Sequence, residues 1–88
     1  MASTIVPVGS SVGLHARPAA RISQAAAQYE DEILLELADA PGPEPSQADS
    51  SLMIMALGAA HGDRVRISSA NATAVAEIAA LIAADLDA

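Results

Sequence analysis

Gly13-Leu14-His15-Ala16-Arg17-Pro18-Ala19-Ala20 is the stretch on which the reading of this chain turns. Pro18 opens a long alanine-rich helical pattern. Proline is tolerated in the first helical turn, because the N–H it lacks would have had no partner there. His15 is therefore expected at, or just before, a helix N-terminus. The unpaired amides of that turn and the positive end of the helix dipole favour an anion. A nucleophilic imidazole beside an anion site points to a phosphoryl group on or next to the histidine. The unpaired amides of Ala16 and Arg17 are candidate hydrogen-bond donors to phosphate oxygens, and the Arg17 guanidinium can add charge-assisted bonds.

The rest of the chain isolates this spot. Eighty-eight residues suffice for one domain, expected to span 1–88, near the lower end of what a hydrophobic core alone supports. There is no cysteine, so no disulfide or thiolate metal site contributes. The 52% hydrophobic fraction is inflated by alanine, which fills 22 of the 88 positions. The longest apolar run is far below a membrane span, and Met1-Ala2-Ser3-Thr4 carries no signal-peptide pattern. The reading is a soluble, cytoplasmic protein with no membrane insertion. The net charge is −7, with four arginines and no lysine, which argues against nucleic acid as a partner. Arg17 and Arg21 lie one helical turn apart near His15, making a small positive spot in a negative field.

Periodicity supplies the elements. Thr4 to Val8 reads as a strand, with Pro7 marking a sheet edge. The first helix is expected from Ala16–Pro18 to Gln28, and the restriction on the residue before a proline favours Arg17 as its cap. Its buried stripe is Ala19, Ile22, Ala26 and Tyr29, opposite Arg17, Arg21, Gln24 and Gln28. Glu32 to Ala38 alternates as a half-buried strand, and the proline-rich 40–45 connection follows. Gln47-Ala48 is a candidate minimal edge strand. Ser50 or Ser51 caps a short helix, Leu52 to Leu57, that is apolar nearly all round and ends at Gly58. Asp63 to Ser68 reads as a strand with Val65 and Ile67 inward, leaving Arg64 and Arg66 to pair with Glu32 and Glu36. Asn71 caps a last helix with the stripe Val75, Ile78, Ile82 and Leu86. Three amphipathic helices and one sheet imply a two-layer α+β domain.

The octapeptide at 13–20, together with Ser50-Ser51-Leu52-Met53-Ile54-Met55, Leu57-Gly58 and the final amphipathic helix, resembles HPr, the histidine-containing phosphocarrier of the phosphoenolpyruvate:sugar phosphotransferase system. The likeness covers essentially all 88 residues. It implies an open-faced β-sandwich: a four-stranded antiparallel sheet of order 1-4-2-3, covered on one face by three helices, the first starting at Ala16. It implies that His15 accepts a phosphoryl group, stabilised by Arg17 and by the N–H groups of Ala16 and Arg17. By the same likeness the donor is phosphorylated enzyme I, and the acceptors are the IIA domains of sugar permeases. Leu14, Pro18, Ala20, Arg21, Gln24, Leu52, Met53 and Ile54 would form the docking surface. Ser50 matches the site of regulatory phosphorylation in some members, which would add an HPr serine kinase to the partners.

Departures from the family pattern are visible. Val12 stands where an Asn or Ser is frequent, Asp49 precedes Ser50 where other members carry a basic residue, and Gln24 and Met53 thin the positive rim. A more apolar docking surface with weaker salt dependence is expected. There is no P-loop and no carboxylate pair with magnesium-ligand spacing, so no cofactor or metal is expected. A small anion-handling hydrolase would need a glycine-rich arginine loop and a water-positioning Asn, and neither is found. The expectation is a monomeric relay, not an enzyme. A regulatory adaptor, such as a nitrogen-control paralogue, would carry nearly the same motif. His61 reads as an exposed loop histidine rather than a metal partner of His15.

Overall fold

The computed structural model describes residues 1–42 and 44–85. Its elements are β1 (Ala2–Pro7), α1 (Ala16–Ala26), β2 (Ile33–Leu37), β3 (Ser46–Gln47), α2 (Ser51–Ala56), β4 (Arg64–Ser69) and α3 (Ala72–Ala83). The sheet runs β1-β4-β2-β3 with every neighbouring pair antiparallel. The three helices cover one face, giving the open-faced α+β sandwich expected for HPr.

Alternation builds the inner layer. On β4, Val65, Ile67 and Ser69 are buried while Arg64 is exposed, and on β2 Ile33 and Leu35 are buried. Ile22 of α1, Ile54 of α2 and Ile78 and Ile82 of α3 close over this face with essentially no exposure. Helix α3 packs on β1 and β4, and α1 lies against both α2 and α3. Pro7 sits on β1, an edge strand, where its missing N–H interrupts no inner ladder.

Pairing shifts several boundaries. β1 spans Ala2–Pro7 rather than 4–8, because its register runs Ala2↔Ser69 to Pro7↔Arg64; the Val8 N–H instead donates to Asp63 O. Likewise β2 is Ile33–Leu37 rather than 32–38, and β3 is Ser46–Gln47 rather than 47–48. α1 stops at Ala26, where Gln28 N–H turns to Ala25 O and Tyr29 N–H to Ala26 O, tightening the last turn by three-residue bonds. Tyr29 is therefore half-buried beyond the helix, and its hydroxyl donates to Glu77 on α3. α2 begins at Ser51 and ends at Ala56, with Ser50 as its cap.

Of the two arginines expected to pair with Glu32 and Glu36, Arg64 meets neither. Glu36 lies opposite Arg66, so Arg64 is level with the far end of β2, away from Glu32. Arg64 instead donates from Nε and Nη2 to the two carboxylate oxygens of Asp39 at 3.1 and 3.0 Å, while Arg66 meets Glu36 at 3.0 Å as expected. The Asp39 hydrogen bonds lower its pKa and raise that of Arg64. Asn71 caps α3 by accepting the Ala74 N–H at 3.1 Å. Of the predicted α3 stripe, Val75, Ile78 and Ile82 are buried, and Leu86 lies outside the described residues, as does Pro43 of the proline-rich connection.

Candidate functional site at the start of the first helix

His15 is the N-cap of α1, in extended conformation (φ −97°, ψ −159°), and its carbonyl accepts the Ala19 N–H at 2.9 Å. The helix thus begins at Ala16, not after an Arg17 cap: Pro18 falls in the first turn, where its ring is accommodated. The three helix starts differ. Ser50 and Asn71 turn their side chains onto the amides of Met53 and Ala74, whereas the His15 side chain does not close onto the amides of its helix. The first-turn amides of Ala16 and Arg17 have no acceptor within the helix, so they are available to an anion.

Two loops fix the backbone that leads into His15. Gly13 N–H closes a turn onto Ser10 O at 3.1 Å, and Leu14 N–H reaches Ala59 O at 3.0 Å. Gly13 has φ +80°, and a Cβ built there would lie 2.6 Å from Ala59 O. Only glycine permits this approach without moving the backbone. The loop after α2 is pinned in turn: Gly62 N–H donates to Val8 O, and Ala60 N–H donates to Asp63 Oδ2. An open hollow of about 320 Å³ lies beside His15, lined by Val12, Leu14, His15, Met55, Gly58, Ala59 and Ala60.

The candidate residues separate by burial. His15, Ala16, Arg17, Arg21 and Gln24 are exposed, and Ala20 is half-buried. Arg17, Arg21 and Gln24 follow one face of α1 at helical spacing. On α2, Leu52 is 73% exposed and Met53 37%. Three expected docking residues are interior instead: Leu14, Pro18 and Ile54. Leu14 is drawn inward by the bond from its N–H to Ala59 O, and Pro18 lies on the inner side of α1. A six-residue helix with only one buried position needs one core anchor, and that anchor is Ile54. Met55 and Val12, exposed at 38% and 59%, supply exposed apolar surface to the hollow beside His15, which the buried Leu14 also lines. The signal for Met55 is chemical: flexible methionine tolerates a wet, adaptable surface better than stiff isoleucine does. Val12 reads from sequence as a missing polar partner, and the turn at Gly13 is what brings it to the hollow. Among the described residues no three His, Cys, Asp or Glu side chains gather as a metal set. Likewise no helix among them is long and apolar enough to cross a membrane.

A sequence-family model described as "PTS HPr component phosphorylation site" matches residues 2–84. The chain belongs to the HPr family. HPr from Bacillus anthracis str. Ames is similar over 92% of this chain and 95% of its own, with 27% identity and a TM-score of 0.80. A protein from Thermoanaerobacter tengcongensis described as HPr-C-His covers 94% and 96%, with 26% identity and a TM-score of 0.75. The Mycoplasma histidine-containing phosphocarrier protein shares the fold, at 22% identity and a TM-score of 0.70 over 92% and 86% of the chains. A search of curated protein sequences returned no match. HPr membership and fold together support a phosphocarrier role in the phosphotransferase system, with partner proteins of that system.

Proposed function

We propose that this HPr-family chain relays a phosphoryl group through His15, taking it from phosphorylated enzyme I and passing it to the IIA domains of sugar permeases. The observation that carries the reading is the start of α1, where the N-cap His15 makes no side-chain cap bond: an exposed imidazole precedes two first-turn amides and an exposed arginine. A ring nitrogen lone pair attacks phosphorus as the bond from phosphorus to the donor breaks. In the second transfer the new N–P bond breaks toward the acceptor. The amides of Ala16 and Arg17 and the Arg17 guanidinium balance the charge of the phosphoryl oxygens, so the protein's contribution is positioning and electrostatics.

Partner docking falls to Val12 and Met55 at the hollow beside His15, together with Leu52 and Met53 of α2 and Ala20, Arg21 and Gln24 of α1. Ser50 already serves as helix cap, accepting the Met53 N–H at 3.2 Å. A phosphate on it, delivered by a serine kinase, would set negative charge against the exposed Leu52–Met53 face. Incubation with phosphoenolpyruvate and enzyme I is expected to yield an acid-labile, alkali-stable phosphate that is lost in His15→Ala. Phosphate retained in that variant, or partner function that survives it unchanged as in a regulatory adaptor, refutes the relay.

A further inference from the structure

We infer that His61, a residue of the loop after α2, is a positioning residue for His15, acting through a hydrogen bond from its Nδ1 to the carbonyl of Ser10. The contact is 3.1 Å long and bridges 51 positions of sequence. A carbonyl oxygen only accepts, so Nδ1 carries the proton and the second ring nitrogen carries none in the neutral form. The Ser10 carbonyl is also the acceptor for Gly13 N–H, the bond that closes the 10–13 turn. Ser10 is 1% exposed and Gly13 is buried, so this oxygen sits at a junction with little access to water.

The junction lies immediately before Leu14, whose own N–H is held by Ala59 O, and one residue further on comes His15. Backbone bonds join the same two loops at Val8–Asp63, Gly62–Val8 and Leu14–Ala59. His61 supplies a side-chain bond between them, at the carbonyl that also defines the Gly13 turn. With the Gly13 amide and the imidazole both in place the turn has one geometry, and Leu14 and His15 leave it in one direction. Without the imidazole the oxygen loses one of its donors, and the turn gains freedom that reaches the phosphoryl acceptor two residues later. A small displacement of a reacting group is costly in transfer chemistry.

The functional half of this inference rests on the proposed relay at His15, while the structural half can be read without it. In His61→Leu the volume is kept and the donor lost. In His61→Asn the amide nitrogen is bonded to Cγ, as Nδ1 is in histidine, so the donor is restored. Amide exchange at Gly13 and Leu14 is expected to accelerate about two- to twelve-fold in His61→Leu, the range that one modest hydrogen bond provides. Phosphoryl entry from enzyme I is expected to slow by a similar factor, with both values returning toward wild type in His61→Asn. Nitrogen chemical shifts of the wild-type ring are expected to show the Nδ1–H tautomer.

Unchanged exchange in His61→Leu, failure of His61→Asn to rescue, or a ring protonated only at Nε2 overturns the inference. So does faster exchange with an unaltered rate of phosphoryl entry. If the wild-type chain is not phosphorylated at His15, the relay itself has failed; faster exchange in His61→Leu, restored in His61→Asn, then still establishes the loop latch.

Discussion

Replacing Gly13 by alanine tests how tightly the loop before His15 is built. At φ +80° an L-residue pays a left-handed cost of about 1–2 kcal/mol, offset by about 0.4–1 kcal/mol through a less flexible unfolded chain. Gly58, at φ +71° with no neighbour within 4 Å of where a Cβ would lie, isolates that conformational part. Gly58→Ala is therefore expected to cost about 0–1.6 kcal/mol. Gly13→Ala adds a contact of 2.6 Å with Ala59 O, the carbonyl that accepts Leu14 N–H at 3.0 Å. Backbone must move, and the Leu14 bond weakens as it does; overpacking of this kind adds about 1–3 kcal/mol. The difference between the two variants is then at least about 1 kcal/mol, or about 4–8 °C in Tm for a domain of this size. Thermal and urea unfolding of both variants supply the stability comparison. Phosphoryl entry, measured well below either Tm, is expected to fall more in Gly13→Ala than in Gly58→Ala. Equal destabilisation by the two substitutions would refute the close-approach reasoning.

The division of α2 into an anchor and a surface predicts opposite phenotypes. Ile54→Ala should cost about 2–5 kcal/mol in urea unfolding, whereas Leu52→Ala should stay within about 0.5 kcal/mol while weakening partner binding by titration calorimetry. The Arg64–Asp39 pair predicts a small, pH-dependent contribution, since both groups are exposed. The hydrogen bonds from Arg64 hold the Asp39 carboxyl below its usual range, so the stabilisation is present above the ordinary carboxylate pKa and disappears as pH falls through the depressed one. Wild type and Asp39→Asn should therefore differ slightly at neutral pH and converge in acid when Tm is followed against pH; a gap that widens in acid would contradict the assignment.

Much of the site was legible because its logic is local. A proline in the first turn, a histidine at or just before the helix start and an arginine between them all act within one turn, and backbone chemistry places them together, although the restriction before proline favoured Arg17 over His15 as the cap. The side chains of Asn71 and Ser50 cap helices for the same reason. Leu14, Pro18 and Ile54 were harder, since an apolar residue reads alike whether it anchors a core or greets a partner. Arg64 shows the same limit. Its partner depends on which residues the register brings level, and the step from Glu32 to Asp39 is the length of a strand.

Residue types and their spacing alone determined the helix start at 15–18, the alternation of the strands, the amphipathic stripes and the charge that isolates Arg17 and Arg21. These follow from forces acting over a few residues. Only the tertiary structure decided where each strand ends, which apolar side chains remain at the surface, and that Ser10, Gly13, Ala59 and His61 meet beneath the loop that carries His15. Those outcomes depend on contacts across some fifty positions of chain. They arise when a sheet register and three helix packings are satisfied together, and no short window of sequence contains that condition.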